Sequence, residues 1–245
     1  MRKNILLTND DGIESSYTSL LSKYLKLYYN VFEFIPQKNK SGLSGSLSEG
    51  QIRIDEISRD KYTLSGTPVE CVIFGMKLMR QKFAIIPEII ISGPNNGLNY
   101  GKTSFYSGTF MAANEGFQSS VNSISISLEG SFSAQFFMWL SGLIFEIENK
   151  GEVAGLLNIN INKADNNDSS ISVIKEEEII EHDFSLFEFR EIDSQFKFFK
   201  KRIDNSDKAS FISISYYFDS NAENKEKILI NLVKNYVRRN KFDFS

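Results

Sequence analysis

Two adjacent carboxylates, Asp10 and Asp11, close the short apolar run Ile5-Leu6-Leu7-Thr8-Asn9 and are followed at once by Gly12. Like charges side by side repel unless water or a cation neutralises them. An apolar run of that length suits a strand buried on both faces of a parallel sheet. Open α/β sheets take their ligands at the carboxyl ends of such strands, so a divalent metal is the natural neutraliser. The same four residues, Asn9 to Gly12, also make a plain turn and helix cap, because Asn, Asp and Gly are turn formers.

Two further polar loops follow apolar runs. After Val31-Phe32-Glu33-Phe34-Ile35-Pro36 comes Gln37 to Gly50, rich in Ser, Gly, Lys and Asn, with Asn39 to Ser46 as its glycine-serine core. After Ile89-Ile90-Ile91 comes Ser92 to Gly101, with Gly93, Gly97 and Gly101 interleaved with Asn95, Asn96 and Asn99. Tyr106-Ser107-Gly108-Thr109 then opens a helix through Ala112, Ala113 and Phe117. Backbone N–H groups and hydroxyls at a helix start make an anion site, although Ser and Thr are also ordinary N-caps.

The elements that must position these loops alternate. Tyr17, Leu20, Leu21, Tyr24, Leu25 and Tyr28 recur at helical spacing between the first two strands, giving a right-handed βαβ unit. Gln51 to Asp55 pairs with Lys61 to Leu64 as a small antiparallel excursion. Thr67 caps a helix with Pro68 in its first turn, and Cys71 is a structural residue on or beside it. Strands at Ser123 to Leu128 and Leu156 to Ile161 flank a helix bearing Phe136, Leu140 and Ile144. The alternation predicts a three-layer α/β/α domain with a mostly parallel, doubly wound sheet.

From about Asp165 the character changes. Asn166-Asn167-Asp168 is turn-like, Lys175 to His182 reads as a solvated charged face, and Phe184 to Phe199 reads as an antiparallel ribbon. Phe211 to Phe218 makes another strand, and Ile228 to Val237 an amphipathic terminal helix. The expected organisation is one domain over residues 1–245. Its core, 1–165, carries the site, and 166–245 form an antiparallel extension.

In a parallel sheet the three strand ends share one edge, so the loops at Asn9, Asn39 and Ser92 converge. Their chemistry is two carboxylates and neutral oxygens, which suits a hard ion such as Mg²⁺ or Mn²⁺. A metal beside the anion-binding start at Ser107 to Thr109 points to phosphoester hydrolysis. Composition is consistent with this. Of 245 residues, 41% are hydrophobic and 24% charged, as in a soluble globular protein. A net charge of −3 gives no basic face for a nucleic-acid polymer. No stretch is long enough to span a membrane, and the four-residue apolar run after Met1-Arg2-Lys3 is too short for a signal peptide. One cysteine suits a reducing compartment, so a cytoplasmic location is expected. The lone histidine, His182, lies beside an acidic run and is expected at the surface. A Ser-His-Asp hydrolase or a His-ligated zinc enzyme is thereby disfavoured.

These motifs resemble the SurE survival-protein nucleotidases. The chain has Asn-Asp-Asp-Gly-Ile (Asn9 to Ile13), Pro-x-x-x-x-Ser-Gly (Pro36 to Gly42) and Gly-Thr-Pro-x-x-Cys-Val (Gly66 to Val72). It also has Ser-Gly-x-Asn-x-Gly-x-Asn-x-Gly (Ser92 to Gly101), and Tyr-Ser-Gly-Thr followed by Ala-Ala-x-Glu-Gly (Tyr106 to Gly116). The resemblance implies a Rossmann-like fold and a metal-dependent phosphatase of nucleoside 5′-monophosphates. It implies one divalent ion per subunit, held by Asp10, Asp11, Ser41 and Asn95. Asn95, Ser107, Gly108 and Thr109 would hold the phosphate, and Asp10 or Asp11 would serve as base, with Asn95 stabilising charge. It also implies a homodimer or homotetramer built through the C-terminal arm. Departures are Ser15-Ser16-Tyr17 in place of Ala-Pro-Gly, Asn162 in place of Pro, and Ser215-Tyr216 in place of Thr-Pro.

Two other classes fit parts of the pattern. A signalling receiver domain also has an acidic pair after its first strand, but it needs a phosphoacceptor Asp where Ser92-Gly93 stands. A metal- or nucleotide-binding protein without catalysis would share the loops. Within the phosphatases, an aspartyl-phosphate route usually needs a second Asp two residues on, whereas here the pair is adjacent.

Overall fold

Ile5, Leu6 and Leu7 are wholly buried, which is what an apolar run flanked by strands on both sides requires. In chain order the strands are β1 (Asn4–Thr8), β2 (Asn30–Pro36), β3 (Ile54–Ser58), β4 (Lys61–Leu64), β5 (Ile89–Asn96), β6 (Asn122–Glu129), β7 (Leu156–Asn162), β8 (Ser172–Lys175), β9 (Phe187–Ile192), β10 (Gln195–Lys200) and β11 (Phe211–Tyr217). The helices are α1 (Ser16–Leu25), α2 (Pro68–Phe83), α3 (Gly108–Gln118), α4 (Ala134–Asn149) and α5 (Ala222–Asn240), with a 3-10 turn over Gly101–Tyr106. This computed structural model describes residues 2–151, 153, 155–163, 172–175, 187–192, 195–200, 210–217 and 222–240. The expected turn at Asn166 to Asp168, the run from 176 to 182 and the surface position of His182 lie outside the described residues.

Nine strands form one sheet in the order β3-β4-β2-β1-β5-β6-β7-β11-β8. From β4 to β7 all neighbours are parallel. β3 and β11 add antiparallel to the two sides, and β9 and β10 pair as a separate antiparallel ribbon. The chain winds from β1 outward to β2 and β4, then returns to β5 on the other side of β1. The strand order therefore reverses at β1 and β5, where such sheets open a ligand crevice.

Helices cover both faces. On one, α1, α4 and α5 pack over Ile5, Leu7, Ile89, Ile91, Ile124, Ile126, Leu157 and Ile159. On the other, α2 covers Leu6 and Phe34, and α3 packs on Ile90. A wholly buried Leu or Ile contributes roughly 1.5–3 kcal/mol. Where α3 crosses β5 and β6, the strand residues alternate with that apolar set and are polar: Ser92, Ser123, Ser125 and Ser127, and beyond them Asn158, Asn160 and Asn162, all fully buried or nearly so.

Three local readings are sharpened. The excursion strand is β3 at Ile54–Ser58 rather than Gln51 to Asp55. The reason is the tight turn after Ser58, which sets Ser58 opposite Lys61 and Ile54 opposite Leu64. β5 continues through Ser92 to Asn96 with a register shift between Ser92 and Asn95, so the loop begins later than its composition suggests. At Ser15-Ser16-Tyr17, Ser15 caps α1, its side chain accepting the Thr18 N–H. Among the described residues, no helix is long and apolar enough to cross a membrane.

Candidate functional site

The carboxyl end of β1 runs straight into Asn9. Its side chain accepts the Gly12 N–H at 3.0 Å and donates to Gly12 O at 3.0 Å and to Thr18 Oγ1 at 2.8 Å. Those bonds curl the backbone so that Asp10 and Asp11 stand at the end of the strand. Gly12 has φ +89°, and a Cβ there would come within 2.6 Å of the Lys38 carbonyl carbon. Glycine is therefore required at this approach. The two loops are also tied by the Lys40 N–H, which donates to Asp10 O at 2.7 Å.

Asp10 is only 3% exposed. Thr109 Oγ1 donates to Asp10 Oδ1 at 2.6 Å, and the Thr109 N–H donates to the same carboxylate. Asp10 thus sits on the N-terminus of α3, where the helix dipole favours negative charge. Gly108 allows the approach, since a Cβ there would stand 3.1 Å from Asp10 Cβ. Burial nonetheless pushes the Asp10 carboxyl above its ordinary pKa, with the Thr109 donors pulling the other way. Burial, and then the charge of Asp10, raise Asp11 to about 6, partly offset by the Asn96 N–H that it accepts.

Asn95 is 9% exposed. Its Nδ2 donates to Gly97 O at 2.6 Å, leaving Oδ1, the atom a hard cation takes, out of that bond. Ser41 is exposed, with its N–H bound to Asn39 Oδ1 at 2.8 Å. It neighbours Lys40, whose backbone is fixed to Asp10. The structure thus ties Asp10, Asp11, Thr109 and the Asn95–Asn96 backbone together by direct bonds, and Ser41 through Lys40. Ser107 Oγ accepts the Phe110 N–H at 3.2 Å as the N-cap. Among the described residues no basic side chain pairs with Asp10 or Asp11. No group of three or more His, Cys, Asp and Glu among them could hold a metal either. A cation here would rest on two carboxylates and neutral oxygens, the set expected for a hard ion.

The profile of the family described as Survival protein SurE matches residues 5–181. The chain belongs to the SurE family. It is 35% identical over 170 residues to a "5′-nucleotidase SurE" of Caldanaerobacter subterraneus subsp. tengcongensis, a match over 65% of this chain and 66% of the relative. It is 39% identical over 163 residues to a "5′/3′-nucleotidase SurE" of Wigglesworthia glossinidia brevipalpis, over 64% of each. The chain thus matches slightly less than two thirds of the length of these relatives. The crystal structure of the SurE protein from Aquifex aeolicus shares the fold, with a TM-score of 0.64 at 24% identity, over 89% of this chain and 95% of that one.

Some residues that build the SurE motifs into a site were given no role in it from sequence. Asn9 is one, and its Asn-x-x-Gly spacing is the signal that a side-chain-closed turn leaves. Glu70 is another. It completes the capping box of Thr67 and accepts the Ser48 N–H at 2.6 Å and Ser48 Oγ at 2.8 Å, fixing the far end of the second loop. The Thr-x-x-Glu spacing announces the box, but nothing in it announces Ser48. Asn158 and Asn160 are the third case, taken up below.

Proposed function

We propose that this SurE-family chain is a divalent-metal-dependent phosphomonoesterase that releases phosphate from nucleoside 5′-monophosphates. The observation that carries this reading is the pair Asp10 and Asp11, buried and half-buried at the sheet's switch point with no basic partner among the described residues. Two such carboxylates are stable as anions only beside a cation. The names of the relatives support the substrate class.

Asp10, Asp11, Ser41 and Asn95 would hold the ion, Mg²⁺ or Mn²⁺. When bound, it supplies Lewis acidity toward a phosphoryl oxygen and lowers the pKa of a coordinated water. Thr109 orients Asp10 and favours its charged form against the cost of burial. Asp10 or Asp11 would take a proton from the attacking water, and Asp11 is the more exposed of the pair. Asn95 and the α3 start at Ser107 to Gly108 would bear on the phosphate oxygens, while Thr109 is committed to Asp10.

Residues 1–165 would form the catalytic core, and 166–245 the arm of a homodimer or homotetramer. The buried, unpaired Cys71 suits the cytoplasm. The reading is tested by phosphate release from a panel of nucleoside 5′-monophosphates and base-free phosphomonoesters, with Mg²⁺, Mn²⁺ or chelator. Release that needs metal and favours nucleotides supports it. Binding without release would make the chain a nucleotide-binding protein.

A further inference from the structure

Ser125 and Ser127 on β6 lie opposite Asn158 and Asn160 on β7, and Asn158 and Asn160 lie opposite Ser215 and Ser213 on β11. On the other side Ser125 lies opposite Ser92, and Ser127 opposite Asn95. Two rows of small polar side chains therefore cross the sheet beneath α3 and the loop after β5. The second row, Asn95-Ser127-Asn160-Ser213, begins at a candidate metal ligand. Such rows are costly: the hydroxyls of Ser92, Ser125 and Ser213 are buried without a hydrogen-bond partner, each at about 1–3 kcal/mol. An apolar face would be more stable, so a polar one calls for a reason.

Asn99 supplies it. Asn160 Oδ1 accepts the Asn99 N–H at 2.7 Å, and Asn160 Nδ2 donates to Asn99 O at 2.9 Å. Asn158 Nδ2 donates to the same carbonyl at 2.7 Å, and Asn99 Nδ2 donates to Ser127 Oγ at 2.9 Å. Both backbone polar groups and the side chain of one loop residue are thus held by the sheet. The hold reaches the site: Asn99 Nδ2 and Asn95 Nδ2 converge on Gly97 O, at 3.5 and 2.6 Å, and the intervening Asn96 gives its N–H to Asp11.

We propose that Asn160, seconded by Asn158, is a positioning residue. By gripping Asn99 from β7, it sets the loop into which Asn95 and Asn96 at the end of β5 run, and so the geometry in which Asn95 and Asp11 meet a divalent cation. The inference rests on the metal reading above for its last step and on the hydrogen bonds alone for its first. Residues behind a metal's ligands typically change affinity by about 10–100-fold.

The test uses the full chain with two readouts. Amide hydrogen exchange at Gly97 and Asn99 reports the grip without any metal, and Mn²⁺ titration of chelator-treated protein reports the site. Asn160→Leu should speed exchange at both amides and raise the Mn²⁺ dissociation constant about tenfold or more. Asn160→Asp, which keeps the acceptor for the Asn99 N–H, should do so by about threefold, and it carries the test if the Leu variant does not fold. Ser213→Ala, in the same buried row but without a bond to Asn99, should leave both readouts unchanged. Unchanged exchange in a folded Asn160 variant overturns the proposal. Faster exchange with unchanged Mn²⁺ affinity also overturns it, because the grip would then not serve the site. If the unaltered protein binds no Mn²⁺, the metal reading fails on its own, and the proposal's last step fails with it.

Discussion

Thr109 and Asp10 stand 99 residues apart in sequence and are joined by a hydrogen bond of 2.6 Å in a fully buried position. That bond aligns the end of β1 with the start of α3, and it favours the charged form of a carboxylate that burial pushes the other way. Thr109→Val removes the O–H while preserving shape. The Asp10 carboxyl, already pushed up by burial, should rise further. Divalent-metal affinity should fall by about 10–100-fold, and the pH at which activity appears should move upward. Calorimetric Mn²⁺ titration and a pH profile of phosphate release check both.

Asp11 titrates at about 6 in the metal-free fold, against 3.8 for an ordinary aspartate. Its folded-state pKa is the higher one, so the native state favours the protonated acid. That contribution to stability is complete below about pH 4 and is lost as pH rises through 6. Metal-free Asp11→Asn should therefore melt a few degrees above the unaltered protein at pH 7.5, with the gap closing by pH 4. Saturating Mn²⁺ should reverse the order at pH 7.5, because only the unaltered protein gains a ligand charge. Thermal melts at the two pH values, with and without metal, decide it.

Gly12 is the point where the first two loops touch. Gly12→Ala would place a methyl group 2.6 Å from the Lys38 carbonyl carbon in a backbone conformation with φ +89°. The strain is worth about 2 kcal/mol, a fall in Tm of about 4–8 °C for a chain of this size. Metal affinity should fall with it, since Lys40 and Ser41 ride on the displaced loop. A melting curve and a Mn²⁺ titration on the folded variant measure the two effects.

The parts of the fold that follow from periodicity were legible: the buried parallel strands, the α1 face, the Thr67-Pro68 helix start, and the ribbon read at Phe184 to Phe199, where β9 and β10 pair. So was the convergence of loops at one sheet edge, because parallel strands leave no other arrangement. The polar rows were not. Ser-Ile-Ser-Ile-Ser at 123–127 and Asn-Ile-Asn-Ile-Asn at 158–162 are legible as strands, and alternation of that kind ordinarily marks one solvated face. The structure instead buries that face beneath α3 and the Asn99 loop. Alternation reports which side of a strand is polar, not whether water reaches it. Likewise, Thr109 is written as a helix-start residue, and only the fold shows its hydroxyl turned onto Asp10. Glu70 is a legible cap whose grip on Ser48 depends on a contact 22 residues away.

The most direct measurement is phosphate release from a nucleoside 5′-monophosphate by the unaltered protein and by Asp10→Asn, each with saturating Mn²⁺ and after chelation. The expected result is turnover by the unaltered protein only with metal, and loss of most of the rate, together with tight Mn²⁺ binding, in Asp10→Asn. Turnover by Asp10→Asn at the unaltered rate, or full turnover after chelation, would contradict the assignment of Asp10 and Asp11 as the grip on a catalytic cation.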